Sequence, residues 1–450
     1  MIGKLNLSGG GGIDINGVVE SYVAGASSIS AGDFVAFANN WSTAAATTVS
    51  AEDMAGQHLA AVKLSDNKVF VVYNQGANNS MYVYGIVCTI SGTTITPGVA
   101  QRLKSSGYGF RLAAAALNDS KVFIAYGKQP NGHLYSMVCT ISGTTITAGT
   151  ETAIDSYFYY SAYHISVVAL TDSKVFIARS SRGDYTLSAT LCTISGTTIS
   201  VPRDIQIGTM FDNADVSAVA LNDSKVFIAY NHPVSTESTQ CYLYGIVCTI
   251  SGTTITAGTA TALRATDWYK NTSNRISTVV LSDDKVFVAF SVSAGNLYGV
   301  ICEIWGTTIT PGTETNLGTG YSVTNYWHGL SLINDDVYLL FVDTNKYLSY
   351  RVCTISGTTI TPGTATQCYL LETVYYPPLS SQCISSLALN NGQIFVAHSN
   401  INEYQSASTL SGTTISHPVH TVTSDSDEIL GVAKTSAASG GSVDVYVPNV

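Results

Sequence analysis

The chain repeats itself at a spacing of about fifty residues, and this periodicity limits the fold more than any other feature. One repeated phrase, Cys-Thr-Ile-Ser-Gly-Thr-Thr-Ile-Thr, starts at Cys88, Cys139, Cys248 and Cys353, with close variants at Cys192, Cys302 and Ser408. A second phrase, of the type Leu-Asn-Asp-Ser-Lys-Val-Phe-Ile-Ala-Tyr, precedes each copy of it, and the leucines of this second phrase recur at steps of 53, 53, 51, 60, 51 and 57 residues. Repeats of this length indicate units that bury their apolar faces against one another.

One repeat reads as four short strands joined by tight turns. In the fourth repeat, Asn222–Lys225 carries side chains that bond their own backbone, and Ser251-Gly252 supplies a second turn. The segments between these turns are almost continuously apolar, which is typical of strands buried on both faces. They are Val216–Leu221, Val226–Tyr230, Tyr242–Ile250 and the more polar Thr253–Gly258. The repeats therefore predict an all-β fold, a seven-bladed β-propeller with four-stranded blades.

The segments outside the repeats indicate a second, smaller β-structure. Ile29–Phe37 leads from a turn into an apolar run, and residues 443–447 alternate between apolar and polar side chains, as a half-buried strand does. We predict a small β-domain formed by the N- and C-terminal segments, into which the propeller is inserted. The predicted division is a flexible Gly-rich N-terminal arm at 1–12, a split β attachment module at 13–55 and 424–450, and the propeller at 56–423.

Composition and charge argue against several classes of function. Charged residues make up 11% of the chain, the net charge is −10, and no block of Lys or Arg is present, so we expect no nucleic-acid binding. Apolar runs such as Val69–Tyr73 have the length of strands, so we expect no membrane insertion. The N-terminus lacks the apolar core of a secretory signal, which predicts synthesis in a cytoplasm without a signal peptide.

Six of the nine cysteines occupy the same position of successive repeats. Equivalent positions in neighbouring repeats should lie too far apart for a disulfide, so we interpret these side chains as small buried hydrophobes. No Cys-x-x-Cys motif and no Cys/His cluster with metal-ligand spacing is present. The sequence therefore predicts neither a metal site nor a cofactor.

Sequence variation is concentrated on one face of the predicted propeller. Because strand direction alternates, the second-to-third loops and the connections between blades emerge together, opposite the two repeated turns. These connections combine aromatic side chains with polar ones, which suits sugar rings and protein partners. The candidate ligand-binding residues are Tyr108, Tyr157, Tyr159, Tyr160, Phe211, Trp268, Tyr269, Tyr326, Trp327, Tyr375 and Tyr376. The polar groups near them are Asp155, His164, Asp212, Asp215, Asp267, Lys270, Arg275 and His328. The alternative is that each aromatic ring caps the apolar interface between two blades.

The motifs of common hydrolases are missing from the sequence. The chain has no Gly-x-Ser-x-Gly, no His-Glu-x-x-His and no phosphate-binding loop ahead of a helix, and no repeat carries the aspartate box of propeller sialidases. Loop acids such as Asp155, Asp212, Asp267 and Glu372 could supply paired carboxylates for glycoside hydrolysis, but sequence does not fix their separation. We expect a protein that is not an enzyme.

Several phrases resemble parts of tailed-bacteriophage virion proteins. Ile29–Val35 together with residues 431–447 resembles a small β-module of capsid-decoration and tail components. Met1-Ile2-Gly3-Lys4 before a glycine run resembles prophage tail-region proteins. The blade sequence Lys225–Tyr230 with Tyr244–Thr256 is similar to propeller repeats of phage fibre and appendage proteins. The resemblance covers most of the chain, and its motifs are structural and define no catalytic residue.

The resemblance implies a virion protein that is present in several copies on a particle and binds other virion proteins through the split β-module. Two functions are consistent with it. In the first, the chain is a tail-fibre or baseplate appendage whose loop face binds cell-surface polysaccharide of the host. In the second, it is a capsid-decoration or tail-assembly subunit, and part of the aromatic face contacts other virion proteins.

Overall fold

The computed structural model describes side chains between His58 and Ala397, and elsewhere only the backbone of strands. Within that range it leaves out the side chains of residues 75–81, 93, 105–110, 129–132, 155–163, 181–184, 203, 211–214, 233–241, 265–274, 293–295, 320–328, 334, 346, 369–383 and 390–392.

The described elements are all β-strands. The strands before the repeats are β1 (Val18–Ala24), β2 (Phe34–Ala38), β3 (Ser42–Thr43) and β4 (Thr47–Ser50). Those of the first three repeats are β5 (Leu59–Ser65), β6 (Lys68–Gln75), β7 (Tyr82–Ser91), β8 (Thr94–Pro97), β9 (Gln101–Arg102), β10 (Tyr108–Asn118), β11 (Lys121–Gln129), β12 (His133–Ser142), β13 (Thr145–Ala148), β14 (Thr152–Ala153), β15 (Ile165–Thr171), β16 (Lys174–Ser180), β17 (Thr186–Ser195), β18 (Thr198–Ser200) and β19 (Ile205–Thr209).

The same order of strands continues through the later repeats. Their strands are β20 (Val216–Asn222), β21 (Lys225–Pro233), β22 (Gln240–Ser251), β23 (Thr254–Ala257), β24 (Thr261–Ala262), β25 (Trp268–Tyr269), β26 (Ile276–Ser282), β27 (Lys285–Val292), β28 (Asn296–Trp305), β29 (Thr308–Pro311), β30 (Thr315–Thr319), β31 (His328–Ile333), β32 (Asp336–Val342), β33 (Tyr347–Ser356), β34 (Thr359–Leu370), β35 (Ile384–Ala388), β36 (Gln393–Ile401) and β37 (Ser408–Ser416). The last strands are β38 (Thr421–Thr423), β39 (Gly431–Ala433) and β40 (Ser442–Val447).

Consecutive strands form antiparallel sheets. Six sheets are built on four strands in chain order, β5–β8, β10–β13, β15–β18, β20–β23, β26–β29 and β31–β34, and in the first five of them one or two short strands also pair with the third strand. A further sheet joins β35, β36 and β37 with β4. The first strands contact one another in the cyclic order β5, β10, β15, β20, β26, β31, β35 and back to β5. The prediction of an all-β propeller with four-stranded antiparallel blades is confirmed.

Each blade is buried on both faces because alternate side chains of one strand pack against different neighbours. In β11, all of Val122–Tyr126 is buried. Ile124 belongs to an apolar cluster with Phe70 of the preceding blade, whereas Phe123 belongs to another cluster with Val175 of the following blade. A strand that faces two neighbouring sheets has no solvent-facing side, which explains why it is apolar at every position.

The two repeated phrases owe their constancy to turn chemistry. In the second blade, Asn118 Oδ1 accepts hydrogen bonds from the backbone N–H and the hydroxyl of Ser120, both at 3.0 Å. Asn222 and Ser224 make the same pair of bonds in the fourth blade. The turn between the third and fourth strands places a glycine at positive φ, 62° at Gly143, which glycine adopts without steric cost. Both predicted turns are confirmed.

In several blades a glycine after the fourth strand packs closely against the next blade. The backbone N–H of Gly149 donates to Val138 O at 2.9 Å. A Cβ atom at this position would lie 2.5 Å from Val138 O and 3.1 Å from the Cβ of Thr197 in the next blade. Gly98 with Thr144, Gly258 with Thr307 and Gly312 with Thr358 repeat this close approach.

Half-buried ion pairs cross two equivalent blade boundaries. Lys104 Nζ lies 2.6 Å from Glu151 Oε2, and Arg264 Nε lies 3.4 Å from Glu314 Oε2. Burial by itself would raise the pKa of Glu151, but hydrogen bonds from Lys104 and from neighbouring lysine and tyrosine side chains hold the pKa below its usual value. Burial raises the pKa of Glu314, and the charge of Arg264 offsets only part of this effect.

The repeated cysteines are buried and free, as predicted. They are Cys88, Cys139, Cys192, Cys248, Cys302 and Cys353. Burial raises the pKa of each of these thiols to about 12, because the thiolate would lose its hydration. Their position in the third strand is thus a packing position.

The chain divides into two compact units, residues 44–414 and residues 1–43 with 415–450. In the latter unit β1, β38, β2, β39 and β40 form a closed barrel. Its longest pairing joins β1 and β40 antiparallel, from Val18 opposite Val447 to Val23 opposite Ser442. The division predicted at 12/13, 55/56 and 423/424 stays a prediction. None of the described elements is a helix that could cross a membrane.

We expect Gly149→Ala to destabilise the protein by about 1–3 kcal/mol, because the new Cβ forces apart a strand carbonyl and the next blade. Gly143→Ala is the matched control, since a Cβ there meets nothing within 4 Å and the cost of about 1 kcal/mol comes from its positive φ alone. Denaturant unfolding of both variants measures the difference. A Gly149→Ala protein as stable as the wild type would contradict the interblade contact.

Candidate ligand site at the mouth of the propeller channel

In five blades a polar residue lies near the beginning of the first strand; four lie directly before the strand, and Arg111 lies within β10. They are His58, Arg111, His164, Asp215 and Arg275, and each is followed directly by an apolar residue. Consecutive members are 53, 53, 51 and 60 residues apart, which is the spacing of the repeat. His164, Asp215 and Arg275 are buried, and the other two are half-buried. Because the first strands adjoin one another, these five residues, termed the mouth residues, surround one end of the channel.

In two blades the second strand fixes the backbone of the mouth residue through a pair of hydrogen bonds. His164 N–H donates to the Ser180 hydroxyl at 3.0 Å, and Ser180 N–H donates back to the His164 carbonyl at 3.1 Å. Arg275 and Ser291 exchange the same two bonds, at 2.8 and 3.0 Å. The repeat therefore holds chemically different side chains at one structural position.

Asp215 connects three neighbouring blades. His164 Nδ1 lies 2.7 Å from Asp215 Oδ1, which also accepts a hydrogen bond from the Val216 N–H at 3.1 Å. The second oxygen, Oδ2, accepts a hydrogen bond from the Ile276 N–H at 2.8 Å. The carboxylate is thus bonded on both oxygens and fixes the orientation of the His164 ring.

The pKa values of the mouth residues follow from burial and from the two arginines. Burial by itself would raise the pKa of Asp215, but His164, the charge of Arg275 and a backbone N–H lower it to about 2. Burial lowers the pKa of His164 to about 4 against the opposing effect of Asp215, and Arg111 and Arg275 lower it further. Burial, together with the same arginines and His164, holds the pKa of His58 well below its usual range. At neutral pH the pair is a neutral imidazole that donates its Nδ1 proton to a carboxylate.

The His164–Asp215 pair has the geometry of an oriented histidine, which some enzymes use as a general base. A base whose pKa is about 4 is a poor proton acceptor at neutral pH, because efficient general bases have a pKa near the working pH.

Hydroxyl groups line the channel below the mouth residues and bridge adjacent blades. Ser166 Oγ accepts a hydrogen bond from the Ala218 N–H at 3.0 Å, and the hydroxyls of Ser217 and Thr278 lie 2.8 Å apart. Ser385 makes a similar bond to the backbone of β5. Together with His58, Arg111, His164 and Asp215, hydroxyl-bearing side chains surround a cavity of about 200 Å³. Its wall offers charged groups at the entrance and neutral hydroxyls deeper in.

Arg111 reaches this cavity through an irregularity of the strand. Its φ is 52°, in the left-handed region, and it is an extra residue between Phe110 and Leu112 in the pairing of β10 with β11. Such a bulge redirects a side chain. A non-glycine residue in this conformation costs about 1–2 kcal/mol, and strain of this kind is concentrated at functional sites.

A second cavity, of about 510 Å³, lies on the sixth blade and is lined in part by Asp343 and Gln367. Asp343 accepts hydrogen bonds from the backbone N–H groups of Asn345 and Tyr347, at 2.8 and 2.9 Å. It also accepts bonds from the Ser349 hydroxyl at 3.2 Å and the Gln367 amide at 2.7 Å. A carboxylate with four intramolecular donors holds its own turn, so we assign Asp343 a structural role.

Metal ligation is not supported by the arrangement of side chains. In the part of the chain with described side chains, no three His, Cys, Asp or Glu residues come together in a way that could hold a metal ion.

The structure places the sequence-predicted residues unevenly. Tyr108 lies in β10 opposite Gln129, and Trp268 and Tyr269 form β25, which pairs with the start of β22. The candidates Tyr157, Tyr159, Tyr160, Phe211, Tyr326, Trp327, Tyr375 and Tyr376, with Asp155, Asp212, Asp267, Lys270 and Glu372, lie outside the described residues. Among the polar groups, His164, Asp215 and Arg275 come together at the mouth, and His328 begins β31.

Sequence reasoning missed His58 and Arg111. The signal that could have found them is position, because both stand at the repeat spacing from His164 and directly before an apolar residue. The five residues occupy equivalent positions of the repeat, but they differ in chemistry. A comparison that looks for similar residue types does not align histidine, arginine and aspartate.

Comparison with known proteins identifies the fold only. No protein-family model matches the chain, and no curated protein matches its sequence. Solved structures do match: a putative 6-phosphogluconolactonase from Bacteroides fragilis has a TM-score of 0.50 at 11% identity, over 80% of this chain and 99% of that one. The Aleuria aurantia lectin, solved with Fucalpha1-6GlcNAc, has a TM-score of 0.43 at 12% identity, over 70% of this chain and 97% of that one. A protein of unknown function from Dyadobacter fermentans has a TM-score of 0.45 at 9% identity, over 85% and 99%.

We expect the wild-type protein to lose stability as the pH falls from about 6.5 towards 4. In the unfolded chain a histidine takes up a proton near its ordinary pKa of 6.5, whereas folded His164 does so near 4, so protons in this window favour unfolding. His164→Asn keeps a donor for Asp215 and removes the titration, so its melting temperature should fall less over this window.

Thermal unfolding at pH steps from 7 to 4 checks this expectation, with His232→Asn, a histidine of β21 outside the mouth, as the matched control. Equal losses in the wild type and in His164→Asn would contradict the assignment.

Proposed function

We propose that the chain is a non-enzymatic carbohydrate-binding protein. Its loop-rich propeller face, with the channel mouth at the centre, binds a saccharide on a host cell surface. The observation that carries the proposal is the cavity of about 200 Å³ whose polar wall includes the buried, mutually oriented pair His164 and Asp215. Sugars present several hydroxyl groups that both donate and accept hydrogen bonds. A wall of imidazole, carboxylate, guanidinium and hydroxyl groups offers partners for both roles.

The aromatic candidates are close to the mouth residues along the chain. Tyr160 is four residues before His164, and Phe211 is four residues before Asp215. Four residues span at most about 14 Å even when fully extended, so these rings cannot be far from the cavity. Aromatic rings stack on the apolar faces of sugar rings, while the mouth supplies the polar contacts. A saccharide longer than one residue would use both.

The non-enzymatic part of the proposal is supported by the properties of His164. Its low pKa makes it a poor general base, and Ser166 and Ser217, the described hydroxyls close to it in the cavity wall, are engaged in bonds between blades. A bound saccharide would therefore be retained without covalent change.

We also propose that the protein belongs to a tailed-bacteriophage virion, in several copies, as a tail-fibre or baseplate appendage. The resemblance of Ile29–Val35 and of residues 431–447 to virion β-modules supports this assignment. These segments contribute β2, β39 and β40 to the closed barrel, which in this proposal is the attachment module for other virion proteins.

We further propose that the propeller has seven blades, the last of which is completed by an N-terminal strand. The register supports this closure: β4 pairs antiparallel with β37, with Thr48 opposite Ser411 and Ser50 opposite Leu410. β35 also contacts both β31 and β5, as a seventh first strand would. Joining the two ends of a propeller in one sheet protects the last edge from pairing with other chains.

Purified full-length protein should bind cell-wall polysaccharide of the host, and Tyr160→Ala and Trp268→Ala should each weaken binding about tenfold, by loss of a stacking contact. Trp305→Ala is the matched control, because this 89% exposed ring ends the third strand, on the opposite face. Calorimetric titration measures the affinities. Absence of binding, together with unchanged adsorption of virions that lack the protein, would rule out host attachment and favour an assembly subunit.

The proposed closure predicts that Thr48→Cys with Ser411→Cys forms a disulfide on mild oxidation, because opposed residues of an antiparallel pair have suitable Cα spacing. The mispaired combination of Thr48→Cys with Ser416→Cys should not. Mass spectrometry after proteolysis identifies the cross-link. Equal yields from the two combinations would argue against the pairing.

A further inference from the structure

The two half-buried ion pairs fill the blade boundaries that they cross together with a tyrosine ring. Between the first and second blades, Lys128 Nζ lies 2.9 Å from Glu151 Oε2 and 4.5 Å from the centre of the Tyr135 ring. Between the fourth and fifth blades, the guanidinium of Arg264 lies 5.1 Å from the centre of the Tyr298 ring. Both tyrosines stand four residues before the repeated cysteine of the third strand. Large side chains thus occupy the space between these blades.

The boundary between the fifth and sixth blades has small residues at the three equivalent positions. Gly318 follows the last leucine of its blade, where the other two boundaries have the basic residue of the ion pair. Ala365 stands two residues after Gly363, where they have a glutamate two residues after the equivalent glycine. Ser349 stands four residues before the cysteine, where they have tyrosine. The cavity of about 510 Å³ is lined by Thr319 of the fifth blade and by Ser349 and Ala365 of the sixth, so smaller residues account for the open space.

The third blade shows another way of filling the same position. It also has a serine four residues before the cysteine, Ser188, and the second-strand residue opposite this serine is Arg179. Arg179 binds Asp204 at 2.7 Å, so an ion pair stands beside the serine. In the sixth blade the residue opposite Ser349 is Phe341, which cannot form such a pair.

Hydrogen bonds within the sixth blade hold the wall of the cavity in place. Asp343, through its four hydrogen bonds, fixes the turn between the second and third strands, which belongs to the loop-rich face. Arg351 donates a hydrogen bond to the Gly363 carbonyl. The charged lining residues are therefore bonded to protein atoms. A wall fixed in this way lowers the ordering cost that binding a ligand would otherwise carry.

The chemistry of the wall suits a molecule with several hydroxyl groups. Apart from Phe341 and Ala365, every lining residue has a polar side chain. The hydroxyls of Thr344 and Thr366 both donate and accept hydrogen bonds, and the amide of Asn345 offers one group for each role. These three residues are exposed, so a ligand reaches them from solvent. The volume of about 510 Å³ corresponds to about 17 waters and lies within the range of about 300–1,000 Å³ of small-molecule sites.

We propose that the boundary between the fifth and sixth blades is a saccharide-binding site separate from the channel mouth. A sugar ring occupies there the space that a tyrosine ring and an ion pair fill at two other boundaries. Its hydroxyls bond to Asn345 and the threonines of the wall, and its C–H groups lie against Ala365 and Phe341. This inference rests on the proposed carbohydrate-binding function and adds a second site to it.

Saturation-transfer NMR titration of the full-length protein with four probes tests the proposal. The probes are methyl α-glucoside, methyl α-galactoside, methyl α-mannoside and N-acetylglucosamine, which present different arrangements of hydroxyl groups. We expect at least one of them to bind with a Kd in the millimolar range or below. Absence of binding of all four at about 20 mM would overturn the proposal.

Ser349→Tyr is the informative variant, because it restores the ring that four other blades carry at this position, Tyr84, Tyr135, Tyr244 and Tyr298. We expect it to remain folded and to lose affinity for the bound probe by at least about tenfold, since the ring takes the place of the sugar. Ser349→Ala is the matched control, because it removes the hydroxyl and its bond to Asp343 but leaves the space open. Its affinity should stay within about threefold of the wild type. Equal affinities of the two variants would contradict the site.

Ala365→Glu fills the same space from the other strand. Ala365 is exposed, so the added side chain does not disturb the core, and the carboxylate is the group that two other boundaries carry here. We expect a loss of affinity of about tenfold. Ala260→Glu makes the same change at the equivalent position of the fourth blade and should keep the affinity. The same loss in both variants would argue against this boundary as the site.

The outcomes separate this inference from the proposed function. If a sugar binds wild type and Ser349→Tyr equally, carbohydrate binding stands and the assigned site is wrong. If a sugar binds wild type but not Ser349→Tyr, and no host polysaccharide binds the protein, the site stands and the host-attachment function is wrong.

Discussion

The contact of every blade with two neighbours is the constraint on which the rest of the structure depends. A four-stranded sheet has no interior of its own, and here the alternate side chains of one strand enter two separate apolar clusters, as Ile124 and Phe123 do. No blade can therefore be stable alone, and a second-strand segment such as Val122–Tyr126, which faces both neighbours, is buried at every position. The interblade glycines and the half-buried ion pairs at Lys104 and Arg264 act on the same boundaries, where a single added carbon already meets the adjoining blade.

Most of the scaffold could be predicted from the sequence because its causes are local. The conformation of each local element depends on residues within about ten positions of it. These elements are the Asn-x-Ser turns, the glycines at positive φ and the uninterrupted apolar strands, and each pattern recurs in several repeats. The buried cysteines could be predicted for the same reason. The site could be predicted only in part, because its members meet through the ring: His164 and Asp215 are 51 residues apart in the chain and 2.7 Å apart in space. The bulge at Arg111 leaves the spacing of 53 residues unchanged on either side, so periodicity alone does not reveal it.

The mouth shows how a repeated scaffold carries a single site. The second strand fixes the backbone of two chemically different mouth residues in the same way, His164 through Ser180 and Arg275 through Ser291. The repeated strands and turns thus stabilise the fold, and one variable residue per repeat, the mouth residue, supplies the polar groups of the site.

The order of the mouth residues has a consequence for how any ligand would sit. The framework is nearly rotationally symmetric, yet no two neighbours among the five described mouth residues, His58, Arg111, His164, Asp215 and Arg275, are of the same type. A ligand turned by one blade about the channel axis would meet a donor in place of an acceptor, or a positive charge in place of a negative one. The unequal mouth residues therefore distinguish the rotational orientations of a ligand, although the blades that carry them are nearly equivalent. A bound molecule would be fixed in its rotation about the channel axis as well as in its position.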